Sequence, residues 1–63
     1  MTAETKLTVQ NTDTDATHET TWGAFQADNQ SDPDMLADVE IQIRENNYAE
    51  IGGGAAPIVW IFA

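Results

Sequence analysis

The sequence predicts a chain that is mostly disordered alone. A short helix at about residues 33–38 and a short β-strand at about residues 39–44 are expected to order when it binds a partner. After Met1, only sixteen of the 63 residues carry large apolar side chains, too few for their burial to offset the entropy of ordering the whole chain. A net charge of −9 adds self-repulsion. The chain also has no cysteine, so no disulfide can reinforce a small core.

The acidic composition restricts the partners. Eleven acidic residues against two basic ones exclude nucleic acid and disfavour anionic membranes, because both require a basic footprint. A basic protein groove suits this charge, although an acidic surface is also typical of halophilic proteins. The first ten residues do not resemble a signal peptide, and the apolar run 58–62 is too short to span a bilayer. We therefore expect a cytoplasmic location.

The first third of the chain predicts solvated coil. Residues 1–21 contain eight threonines and show no hydrophobic period. The stretch "KLTVQ" is expected to pair as a strand only where an edge is offered. Trp22 and Phe25 then stand three residues apart in polar surroundings, and they either close a small local cluster or fill a partner's pocket.

A helix start follows at "SDPDML". Ser31 or Asp32 can cap it, Pro33 fits its first turn, and Asp34 complements the positive end of the helix dipole.

The next stretch supports two periods. Leu36, Val39 and Ile43 share a helical face, but Val39, Ile41 and Ile43 also alternate with polar residues in "VEIQIR". We favour a strand at 39–44, because β-branched residues occupy each of its apolar positions and a lone strand can join a partner's sheet. A continuous helix to about residue 47 is the alternative.

The end of the chain, "GGGAAPIVWIFA", has no charged side chain although it follows eleven acidic residues. Counting back from Gly54, Gly53 stands at position −2, Ile51 at −4, Tyr48 at −7 and Ile43 at −12. This spacing resembles the double-glycine leaders of precursor peptides for ribosomally synthesised, post-translationally modified natural products.

The resemblance implies an acidic leader at 1–54, with its recognition part at 35–51, and a hydrophobic core peptide at 55–63. Gly52, Gly53 and Gly54 would serve as the hinge and cleavage point. The expected partners are modifying enzymes with a leader-recognition domain. The resemblance also allows a tRNA-dependent ligase and a protease as further partners. The residues implied in enzyme recognition are Leu36, Val39, Ile41, Ile43, Tyr48 and Ile51.

The composition of 55–63 limits the modification. It lacks the Ser, Thr or Cys needed for lanthionine rings and azolines, and the Asp, Glu or Lys needed for side-chain lactones or lactams. Oxidation or cross-linking at Trp60 or Phe62 remains, as does extension at Ala63, where some precursors of this class act as scaffolds for a tRNA-dependent ligase.

Catalysis by the chain itself is not expected, and neither is a cofactor. His18 is the single histidine and stands in predicted coil. A calcium loop around Asp28 to Asp34 fails, because Pro33 replaces the required glycine and Val39 the bidentate glutamate. The alternative function is an acidic interaction peptide or small subunit that docks its hydrophobic C-terminus into a partner, unprocessed. A secreted, unmodified peptide cut after Gly54 is a third interpretation.

Overall fold

The chain forms a four-stranded antiparallel sheet with two helices packed on one of its faces. The computed structural model describes all 63 residues. Across the sheet the strand order is β2-β1-β4-β3, so the last strand lies between the first and the third. The prediction of a mostly disordered chain is wrong. In chain order the elements are β1 (Lys6–Asn11), β2 (Ala16–Thr21), α1 (Trp22–Asp28), α2 (Pro33–Asn46), β3 (Tyr48–Gly53) and β4 (Ala56–Phe62).

The hydrophobic core lies between the sheet and the helices. Every element except β2 contributes to it, and no polar or charged residue is buried. Ten of the eleven acidic residues are exposed, so the high charge stays in water and does not prevent folding. The prediction of disorder failed because the core residues are spread over the whole chain. They are Leu7, Val9, Trp22, Phe25, Val39, Ile43, Ala49 and Ile61.

The threonine-rich beginning of the chain is a β-hairpin, and the prediction of coil for residues 1–21 is wrong. β1 and β2 pair from Lys6 with Thr21 to Asn11 with Ala16. The side chain of Asn11 accepts a hydrogen bond from the Asp13 N–H (2.9 Å) in the turn between them, an Asx-turn geometry. Threonine is β-branched and favours strands once a neighbouring strand supplies the pairing.

Helix α1 follows β2 without a loop. Thr21 caps it by accepting a hydrogen bond from the Ala24 N–H (3.2 Å). Trp22 and Phe25 are both buried in the chain's own core, with ring centroids 6.0 Å apart. Trp22 and Phe25 are therefore not free to fill a partner's pocket, and the local-cluster interpretation is the correct one.

Helix α2 carries the predicted capping residues. Asp32 accepts a hydrogen bond from the Met35 N–H (3.2 Å), and Pro33 is the first helical residue. Asn47 ends the helix with a left-handed φ of 67°, and its N–H donates to the Ile43 carbonyl (2.8 Å).

The predicted strand at 39–44 is wrong, as is a helix that ends at residue 38. Helix α2 runs unbroken to Asn46, as the alternative interpretation had it. Val39 and Ile43 stand four residues apart on one helical face and are buried, whereas Ile41 between them is 50% exposed. The segment follows the helical pattern and not the alternating one, because one face of α2 is covered by the sheet and the other is in water.

The three glycines lie where β3 turns into β4. Gly52 and Gly53 end β3 and Gly54 begins the turn, all with positive φ. Gly52 has a structural reason to be glycine, because a Cβ there would lie 2.1 Å from the Pro57 carbonyl oxygen. The pairing of β3 with β4 shifts register at this point, between Ile51 and Gly53.

Paired alanine substitutions on α2 test the helical packing. We expect Ile43→Ala to lower the free energy of unfolding by about 2–4 kcal/mol, because it leaves a cavity in the core. We expect Ile41→Ala, on the same helix but exposed, to change it by less than about 0.5 kcal/mol. Urea unfolding followed by circular dichroism measures both. Equal effects, or a sloping non-cooperative curve for the parent chain, would contradict this packing.

Paired substitutions in the turn test the role of the glycines. Gly54→Ala meets no neighbour within 4 Å and bears only the left-handed strain of about 1–2 kcal/mol. Gly52→Ala adds the clash with Pro57, so its loss of stability should be larger by at least about 1 kcal/mol. The same urea titration reports the difference. A purely flexible linker predicts little change at either position.

Candidate functional site: the aromatic face of the sheet

Strand β4 has two different faces. Ile61 points into the core and is fully buried, and Val59 packs against the same core. Because side chains alternate along a strand, Trp60 and Phe62 point to the opposite face, which neither helix covers. The uncharged end of the sequence therefore supplies both a core strand and the apolar part of an outer surface.

Strand pairing arranges this outer face in two rows. Directly paired residues have their side chains on the same face of a sheet. In one row, Phe62 lies between Tyr48 of β3 and Thr8 of β1. In the other row, Trp60 lies between Glu50 of β3 and Gln10 of β1. The three aromatic rings are thus neighbours although Tyr48 is far from the other two in sequence.

We call Tyr48, Trp60 and Phe62 the aromatic cluster. The Tyr48 centroid lies 5.9 Å from that of Trp60 and 6.3 Å from that of Phe62, and the Trp60 and Phe62 centroids are 6.5 Å apart. These are the separations of favourable aromatic pairs. Tyr48 is 43% and Phe62 41% exposed, and with Gln10 the cluster lines a shallow cavity of about 290 Å³. Large, exposed aromatic side chains gathered in this way are typical of interaction surfaces.

The charge around the aromatic cluster is unevenly distributed. Glu50 is exposed beside Trp60. Lys6, one of the chain's two basic residues, lies on β1 two residues before Thr8, so its side chain is on the same outer face. It lines a second groove, of about 410 Å³, that also reaches Phe62. The other basic residue, Arg44, is on α2 and contacts Glu40 (3.9 Å).

The main chain of Glu50 is fixed by helix α2. The Gln42 side-chain amide donates to the Glu50 carbonyl (3.2 Å) and accepts from the Glu50 N–H (3.0 Å). Asp38 accepts a further hydrogen bond from the same amide (2.9 Å). The Gln42 amide takes the place of a neighbouring strand at this edge, so it both protects the edge of β3 and holds Glu50 beside the aromatic cluster.

The structure separates the residues predicted for enzyme recognition. Val39 and Ile43 are in the core, while Leu36 and Ile51 are half-buried against it. The other two are exposed on different elements: Ile41 on α2 and Tyr48 on β3. These six residues therefore do not form one surface.

The residues predicted for modification are closer together. Trp60 and Phe62 both belong to the aromatic cluster. Ala63 is exposed just after β4, and its N–H donates to the Asn47 carbonyl (3.1 Å). Sequence reasoning did not include Gln10 or Glu50 in this surface, because only the strand register brings them to Trp60.

The structure shows no group of three or more histidine, cysteine or acidic side chains placed to hold a metal ion. His18 is exposed on β2, paired with Val9. Neither helix is long and apolar enough to cross a membrane. The aromatic cluster offers rings, and beside it Gln10 offers an amide and Glu50 a carboxylate. These groups bind by stacking, hydrogen bonding and charge.

Comparison with known proteins gave no relatives. No protein-family model matches the chain, and no curated protein or solved structure is significantly similar to it.

Proposed function

We propose that this chain is a non-enzymatic binding protein that docks onto a basic partner protein through the aromatic outer face of its sheet. The observation that carries the proposal is the aromatic cluster: three large rings gathered on the one sheet face that the helices leave open. Aromatic side chains contribute most to binding energy at protein interfaces. This docking is a form of the alternative function considered in the sequence analysis, in which the hydrophobic C-terminus binds a partner unprocessed, with a folded sheet face in place of a free tail.

The charge of the chain supports a basic partner. With a net charge of −9, the protein attracts a basic surface at long range and repels a second copy of itself. The same charge disfavours a nucleic acid on the face, although stacked aromatic rings on an open sheet would otherwise suit bases.

The precursor hypothesis stays a prediction, to be tested beside this one. The fold adds a requirement to it: residues 59–62 pair with both β1 and β3, so an enzyme acting on Trp60 or cutting near Gly54 would meet a folded substrate. Extension at the exposed Ala63 would disturb the sheet least.

Co-expression with the proteins encoded beside this chain tests the proposal. We expect the chain to co-purify with an identifiable basic protein and to keep its intact mass. We expect the dissociation constant to rise at least about tenfold for Phe62→Thr, because this change removes an exposed ring of the aromatic cluster. Isothermal titration calorimetry with the purified pair measures this, and 0.5 M NaCl should also weaken the complex.

The matched control is Ile41→Gln, which removes a similarly exposed apolar side chain from α2 and should leave the affinity unchanged. Thermal unfolding of both variants confirms that they are folded. The proposal is wrong if no basic neighbour binds, or if Phe62→Thr and Ile41→Gln behave alike. A loss of two hydrogens, an added amino acid or cleavage after Gly54 would instead favour the precursor hypothesis.

A further inference from the structure

We propose that the aromatic cluster, together with Glu50 and Gln10, is a seat for an arginine side chain of the partner. This inference rests on the proposed function and specifies the chemistry of its central contact. It joins three features of one place on the outer face: exposed ring surface, an unpaired carboxylate, and an amide in the wall of the cavity.

The rings provide the first contact. The faces of Trp60, Tyr48 and Phe62 carry the negative part of the aromatic quadrupole and attract a cation placed over them. Tyr48 and Phe62 are each more than 40% exposed, so their surface is accessible without any rearrangement. Trp60, the strongest of the three for a cation, is half-buried and lies next to Phe62 on β4, directly opposite Glu50 and diagonal to Tyr48.

Glu50 provides the second contact. It lies opposite Trp60 across the β3–β4 pairing, so both side chains are on the outer face. The ion pair in the structure joins Arg44 to Glu40, which leaves the Glu50 carboxylate without a cation. Because Gln42 holds the Glu50 main chain from the other side, the position from which this carboxylate extends is fixed before any ligand arrives.

Gln10 provides the third contact. It pairs with Trp60 on the side away from Glu50 and lines the cavity with the three rings. Its amide oxygen is a hydrogen-bond acceptor. A group that lies on Trp60 therefore has a carboxylate on one side and an amide on the other.

A guanidinium group satisfies all three contacts. It is planar and stacks on an aromatic ring, and its five N–H donors can reach acceptors on two sides at once. A lysine ammonium group is a more strongly hydrated point charge and does not stack. The chain does not fill the seat itself: Lys6 lines the neighbouring groove, which shares only Phe62 with the cavity at the aromatic cluster, and Arg44 lies on α2.

A peptide titration tests the seat. The probes are acetylated, amidated Gly-Gly-Xaa-Gly-Gly peptides in which Xaa is arginine, lysine or citrulline, which has nearly the same shape as arginine without its charge. Shifts of the Trp60 indole N–H and of the Gln10 and Glu50 amides are followed by NMR on the full chain. We expect the arginine peptide to bind at least threefold more tightly than the lysine peptide and at least tenfold more tightly than the citrulline peptide.

Two charge-matched variants locate the site. Glu50→Gln and Asp28→Asn each remove one negative charge, but Asp28 ends α1, on the other side of the sheet. We expect Glu50→Gln to weaken arginine binding about fivefold and Asp28→Asn to leave it within twofold. Thermal unfolding confirms that both variants are folded.

The inference is overturned if arginine and citrulline peptides bind alike, if no peptide shifts the Trp60 signal, or if the two variants have equal effects. Preferential binding of a ten-nucleotide single-stranded DNA would overturn it as well. In each case the co-expression experiment decides about the proposed function. If the chain binds a basic neighbour and Phe62→Thr abolishes that binding, the proposed function stands and only the arginine seat is wrong. If that complex is absent too, both are wrong.

Discussion

The whole structure depends on the pairing of β4 with two other strands. β4 lies between β1, from the start of the chain, and β3, from just before it. Its inward side chain Ile61 meets the core that the helices complete, and the pairing closes a sheet that neither hairpin forms alone. A segment without charges suits this position, because a central strand is covered on both edges and on one face. The acidic residues remain at the surface, where water and salt screen them.

The same pairing produces the candidate binding face. Once Ile61 is fixed in the core, alternation along β4 directs Trp60 and Phe62 outward, and the register brings Tyr48 and Glu50 next to them. The face is therefore organised by the core and requires no loop to order on binding, which lowers the entropic cost of association. A folded, acidic protein with one aromatic face would suit the proposed docking onto a basic surface.

Parts of this fold could be predicted from local sequence and others could not. The start of α2 at Asp32 and Pro33 follows from capping chemistry, which acts within four residues. The choice between helix and strand for Val39 to Ile43 depended on which face the sheet covers, and sequence alone left both open. The structure of β2 and of the glycine turn depends on residues outside those segments. β2 forms because it pairs with β1, and Gly52 is required because the Pro57 carbonyl lies beside it. Part of the candidate site could be predicted from the sequence, because Trp60 and Phe62 were identified by their chemistry. Glu50 could be added only once the strand register was known.

Amide hydrogen exchange in β4 of the isolated chain tests the central claim most directly. If β4 is the central strand, the amides of residues 59–62 should exchange among the slowest in the protein, about a hundredfold or more slower than in an unstructured peptide. Protection there should also be lost together with that of β1 and β3 as urea is added. Exchange of these four amides at unprotected rates, while the helices remain protected, would show that the end of the chain is not part of the fold and would contradict the account.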